Sequence, residues 1–142
     1  MKTFIKFLII STLSLITFFQ NSFSSEKIKI GLIVPTSGEY SELGNSIIKS
    51  VRLAINKIDD ERIEIIPKDT KSNPINSLRA SKELYNEGVR IVIGPLFNES
   101  VKYLDELKDM TFISLTNKIY GNPTNVISAG VNAISQINTI RK

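Results

Sequence analysis

Apolar residues along the chain switch between two spacings. From Ile28 to Val34 they are β-branched and almost continuous, and the run stops at Pro35. This predicts a strand whose second half is buried on both faces. Thr36-Ser37-Gly38-Glu39-Tyr40 is rich in turn formers, and Ser41 is placed to cap a helix. Leu43, Ile47, Ile48, Val51, Ala54, Ile55 and Ile58 then recur at steps of three and four. That spacing predicts a helix from about Glu42 to Ile58 with one apolar stripe, ended by the acidic turn Asp59-Asp60-Glu61.

The alternation repeats. Ile63 to Asp69 reads as a second strand, and Pro67 within it argues for a sheet edge. Asn73 followed by Pro74 is a helix start, with Ile75, Leu78, Leu84 and Tyr85 as its apolar face and Gly88 as its stop. Val89 to Ile93 predicts a third strand, with the tight loop Gly94-Pro95-Leu96-Phe97 after it. A short helix opens at Asn98 or Glu99 and turns Val101, Leu104 and Leu107 inward. Thr111–Leu115 predicts a fourth strand, Asn125–Ala129 a short fifth, and Ala133–Arg141 a final helix. Regular alternation with short connections defines an α/β fold, a three-layer, doubly wound, mainly parallel sheet. With strand two at the edge the order is flavodoxin-like, 2-1-3-4-5.

The segment before the first strand follows a different rule. Lys2 and Lys6 precede an apolar stretch from Phe7 to Phe19, and small polar residues close it at Asn21 to Ser25. These are the three parts of a secretory signal, so residues 1–24 are expected to be a signal peptide cleaved after Ser24, with residues 25–142 exported. An uncleaved anchor is the alternative, although the apolar run is short for a span of about 20 residues. Either way the remainder leaves the cytoplasm, and membrane contact is confined to this segment. Removing Lys2 and Lys6 leaves 16 basic against 14 acidic side chains, which lowers the net charge from +4 to +2. Such a balance does not provide the concentrated basic face that nucleic acid requires.

The chain has neither Cys nor His. Structural zinc sites, thiol nucleophiles and imidazole acid–base chemistry are thereby excluded, and no Cys is present for lipid attachment. No phosphate loop follows the first strand, and Asp59-Asp60 falls at the opposite end of the sheet from Asp69, so an acidic metal cluster is not expected. The reading is of a protein with no enzymatic activity, cofactor or metal; a doubly wound enzyme is the alternative of another class. In an open parallel sheet, ligands bind beyond the C-terminal strand ends where strand order reverses. Between strands one and three, that rim carries Ser37 and Gly38, then Gly94, Pro95 and Leu96. Asp69 and Thr70, and Thr116 and Asn117, end the neighbouring strands on the same rim. Singly these residues are also ordinary turn formers and caps. Their shared position makes them candidates for holding a small polar ligand, in particular a carboxylate at a helix N-terminus.

Lys29 to Gly38, a strand running into Pro-Thr-Ser-Gly, resembles the opening of the Leu/Ile/Val type of periplasmic binding protein. Ile65 to Thr70 resembles that family's acid-ended second strand, and Glu87 to Pro95 its Gly-Pro loop with a nearby serine, here Ser100. The resemblance covers about Ile28 to Ile140. It implies the first lobe of a type I fold, apparently truncated, with Ser100 among the ligand-binding residues. Gly94-Pro95-Leu96-Phe97 and Ile113 to Asn117 further resemble the penicillin-binding-protein activators, the LpoA-like branch. That resemblance implies a regulator of cell-wall synthesis whose partner is a penicillin-binding protein. The alternative is the receptor subunit of an ABC transporter, with an ABC permease as partner and a small amino-acid-like ligand.

Overall fold

The computed structural model describes residues 26–117, 121–130 and 137. β1 (Ile28–Val34), β2 (Ile63–Asp69), β3 (Ile91–Ile93), β4 (Thr111–Ser114) and β5 (Val126–Ser128) form one sheet in the order β2-β1-β3-β4-β5. Every neighbouring pair is parallel. Pro67 lies on an edge strand, where its missing N–H costs no ladder bond.

α1 (Ser41–Ile58) crosses from β1 outward to β2, and α2 (Pro74–Asn86) crosses back from β2 to β3. Right-handed crossovers running in opposite directions place their helices on opposite faces. Side-chain alternation agrees. Ile33, Val92, Phe112 and Val126 pack with Ala80 and Leu84 of α2 and with Val101, Leu104 and Met110. Leu32 and Val34, on either side of Ile33 in β1, are fully buried outside that cluster. They point to the α1 face.

α1 begins one residue earlier than the periodicity predicts. Tyr40 occupies the cap position, and no side chain caps this helix; Ser41 lies inside it. The apolar stripe is only half covered at Ile47, Ile48, Val51 and Ile55, while Leu43 and Ile58 are exposed. The residue that approaches the sheet layer most closely is Gly44, which is buried against the Pro35 carbonyl. Asp59, left-handed at φ 57°, ends the helix, and Asp60 holds Arg62 through a 2.7 Å ion pair.

α2 has the predicted cap: the Asn73 side chain accepts from the N–H groups of Ile75 and Asn76. Its buried face keeps the expected Leu84, with Tyr85 packed beside the core, but otherwise differs from the expected one. Ser77, Ala80, Ser81 and Leu84 are inside, whereas Ile75 is 59% exposed. Small residues let the helix lie close to the sheet, and the Ser77 and Ser81 hydroxyls are satisfied by the backbone carbonyls of Asn73 and Ser77. The chain then turns at Gly88 (φ +84°), as expected for a helix stop.

α3 (Asn98–Val101) tightens into a 3-10 turn over Lys102–Glu106, with Val101 and Leu104 buried. Asn125 pins that turn to the start of β5 by donating to the carbonyls of Leu104 and Leu107. The signal segment and most of the final helix lie outside the described residues. Ile137, from that helix, is helical and exposed.

Candidate ligand-binding site

Three loops meet at the strand-order reversal between β1 and β3. The first follows β1 and is tied down by a single carboxylate. Val34 and Asp69 are register partners at the ends of adjacent strands, so the Asp69 side chain stands beside the start of the loop. It accepts from the Thr36 N–H at 2.9 Å, the Ser37 hydroxyl at 2.6 Å and the Lys71 N–H at 2.9 Å. Partial burial works to raise the Asp69 pKa. The bonds from the Ser37 hydroxyl and from the Lys71 and Thr36 N–H groups outweigh it and lower the pKa to about 2.

This yields a pH prediction. A carboxylate with a depressed folded-state pKa stabilises the fold above its unfolded value, 3.8 here, and loses that contribution as pH falls towards about 2. Discounted for solvent screening, the contribution is about 1–2 kcal/mol. Asp69→Asn is therefore expected to lower stability at neutral pH and to flatten the pH dependence between 4 and 2. Urea unfolding at several pH values measures both; an unchanged acid limb would show that the tie carries no stability.

The second loop joins β2 to α2. Lys71 and Ser72 are both left-handed, with φ of 49° and 55°, a conformation that is uncommon outside glycine. The buried Ser72 hydroxyl has no hydrogen-bond partner among the described residues. At the start of α2, Pro74 has no N–H, and the N–H groups of Ile75, Asn76 and Ser77 all bond to Asn73. The first-turn donors of α2 are thus already committed.

The third loop follows β3. Gly94 (φ +109°) crosses so close to β1 that a Cβ would fall inside the Ile33 carbonyl oxygen, and its N–H donates to the Ile113 carbonyl at 2.8 Å. Pro95 follows through a cis peptide bond and is buried. The loop delivers Phe97 onto Tyr40, edge to face, with ring centroids 5.0 Å apart.

Between these loops lies a cavity of about 440 Å³. Tyr40 lines it from the first loop and Ser72 and Pro74 from the second, while Phe97, Asn98, Glu99 and Ser100 line it from the third. Of the residues nominated from sequence, Ser100 is in the wall; it is buried, with its hydroxyl 3.1 Å from that of Ser77. Ser37, Gly38, Asp69, Thr70, Gly94, Pro95 and Leu96 belong to the same loops but do not line the cavity. Thr116 and Asn117 lie in the loop just after β4, further along the sheet. Thr116 is buried, receives the Ser114 hydroxyl at 3.2 Å and holds Ser128 through its carbonyl. Tyr40, Ser72, Pro74, Asn98 and Glu99 were not nominated, and Phe97 was read only as part of its loop. The available signal was a pair of aromatic residues in loops otherwise made of turn formers.

A doubly wound parallel lobe with a cavity at its strand-order reversal defines the class: one lobe of the type I periplasmic-binding-protein fold. The periplasmic binding protein family model matches residues 27–140, and the chain belongs to that family. No curated protein matches it. A solute-binding protein of an ABC transporter from Rhodopseudomonas palustris BisB5, solved with 3,4-dihydroxybenzoic acid, is 28% identical with a TM-score of 0.59. That match covers 63% of this chain and 27% of the other. An ABC-type branched-chain amino acid transporter protein from R. palustris CGA009 is 22% identical with a TM-score of 0.65, covering 75% and 33%. The C-domain of LpoA from Haemophilus influenzae, a regulator of PBP1A, is 20% identical with a TM-score of 0.62, covering 80% and 37%. The matched region therefore spans about a quarter to somewhat over a third of each of these relatives.

Proposed function

We propose that this chain is the first lobe of an exported, non-enzymatic binding protein, with the rim cavity as its half of a small-ligand cleft. The carrying observation is the 440 Å³ cavity, built by three separate loops at the place in the sheet where strand order reverses. Ser100 is its contact residue among those nominated from sequence. Ser37, Gly38, Asp69, Thr70, Gly94, Pro95 and Leu96 act behind it by setting the loops, and Thr116 and Asn117 extend the rim towards β5. In this reading residues 1–24 are removed on export and residues 25–142 work outside the cytoplasm.

The Gly94–Phe97 loop favours a second reading, because its sequence resembles the activator loop. Under it the same rim contacts a penicillin-binding protein and regulates cell-wall synthesis.

One measurement separates the two readings. Amino acids and aromatic acids titrated into labelled chain are expected to move the NMR signals of Tyr40, Ser72 and Phe97 while leaving those of Lys57 and Asp59, at the other end of the sheet, in place. If no small molecule moves them and an immobilised chain retains purified penicillin-binding protein, the cleft reading falls and the regulator reading replaces it.

A further inference from the structure

The two faces of the sheet are covered unequally. On β3, β4 and β5, Val92, Phe112 and Val126 are buried on the α2 side. The alternate residues point the other way, and register gathers them into one strip: Ile30 pairs with Ile91, Ile93 with Ile113, and Ile113 with Ile127. Ile91 is 44% and Ile127 57% exposed, and Ile30, Ile93 and Ile113 are only half-buried. A parallel sheet is ordinarily covered on both faces. Here α1 packs on β1 and β2 and leaves the strip over β3 to β5 open.

The strip has the shape of a helix seat. From β3 to β5 is two strand spacings, about 10 Å, which is one helix diameter. α1 forms the side wall. A right-handed helix running from the end of β1 to the start of β2 turns Leu43, Ile47, Ala54 and Ile58 towards β3, and Ser41, Asn45 and Arg52 towards the β2 edge. Leu43 and Ile58 are exposed on the first of these flanks. No strip residue and none of the four wall residues is charged.

The same chain holds an apolar helix side without cover. Residues 131–140 carry no charge, and Ala133, Ile134, Ile137 and Ile140 fall on one side at helical spacing, with Asn132, Ser135, Gln136 and Thr139 opposite. Ile137 is helical and 53% exposed. The link is short. The chain leaving β5 doubles back across the end of β4, where Gly130 packs on the Thr116 carbonyl, so residue 133 starts within about 11 Å of that point. A nine-residue helix is about 14 Å long, against about 10–13 Å for the strands beneath.

We propose that residues 133–141 seat as a helix on the β3–β5 strip beside α1, so that the lobe completes its second helical layer from its own chain. The proposal concerns the face opposite α2 and does not depend on what the rim cavity holds.

Because the chain has no Cys, a nitroxide attached at Gln136→Cys, on the polar side of the helix, sits at one place. In the purified isotope-labelled chain, the amide signals of Ile91, Ile113 and Ile127 are expected to lose most of their intensity. Those of Ala80 and Leu84, in α2 across the sheet, should keep theirs. Ile137→Asp should restore the broadened signals with the circular dichroism spectrum unchanged, whereas Ser135→Asp, on the polar side, should leave them broadened. Undiminished signals at Ile91 and Ile113 overturn the proposal, as does broadening that survives Ile137→Asp. Nitroxide-bearing chain mixed with isotope-labelled chain lacking the nitroxide should leave these signals intact; broadening in the mixture overturns the proposal by assigning the strip to a second copy.

Discussion

Gly44→Ala is expected to destabilise the protein by about 3 kcal/mol or more, although the same change in an exposed helix interior would stabilise it by up to about 1 kcal/mol. Gly44 is the fully buried residue of α1, and the Pro35 carbonyl packs directly onto its Cα. A Cβ built there falls inside the carbonyl oxygen and 2.7 Å from the carbonyl carbon. Both obstacles are backbone at the end of β1, so no rotamer change can relieve them. Either α1 lifts from the sheet or the loop after Pro35 moves. Thermal unfolding followed by circular dichroism should show a loss of roughly 12 °C or more. Asn45→Ala, at the exposed neighbouring position, should stay within about 0.5 kcal/mol of the parent. A Gly44→Ala protein as stable as the parent would mean that the close approach of α1 is not needed.

The second large effect concerns affinity. The purified chain is expected to bind leucine, isoleucine or valine no more tightly than millimolar. Tight small-molecule sites bury about 70–90% of the ligand surface. Here a single lobe supplies the wall, and Tyr40 remains 41% exposed at its edge. Hydrogen bonds made against open water contribute about 0.5–1.5 kcal/mol each, so three scarcely reach the roughly 4 kcal/mol that corresponds to millimolar binding. Joining a complementary second lobe should tighten binding by about three orders of magnitude. Isothermal calorimetry with a broad amino-acid panel decides the matter. A micromolar dissociation constant for the chain alone would show that one lobe encloses its ligand.

Most of the fold was legible because few residues do two things at once. Pro67 argued for an edge, and an edge position for the second strand ordered the sheet and located the reversal. Asn73-Pro74 and Gly88 bracketed α2 correctly because cap and stop are local events. Val89 was read as strand because it is β-branched. Its N–H instead closes the end of α2 by bonding to Leu84, and β3 starts two residues later. On α2 periodicity held at Leu84 and Tyr85, which pack on the core, and failed at Ile75, which faces water while Ser77, Ala80 and Ser81 face the sheet. Apolarity is not what selects a face when the layers pack this closely.

The site was legible as a rim but not as a wall. Strand ends follow from topology, whereas the side chains that reach the cavity depend on how far each loop projects. Asp69 was a candidate for its place at a strand end on the rim, and its three hydrogen bonds within the lobe could not be foreseen from a run of turn formers.

Those three bonds also bear on how fast and at what entropic cost the cleft is occupied. A loop of Thr, Ser and Gly would otherwise sample many shapes and have to be ordered by the arriving ligand. Asp69 closes it beforehand, joining Thr36 and Ser37 of one loop to Lys71 of the next. Under the proposed small-ligand reading the receiving surface exists before encounter, and little ordering remains to be subtracted from the binding energy. Association at this rim should behave as docking onto a preset shape, with a rate governed by diffusion and orientation and not by loop closure.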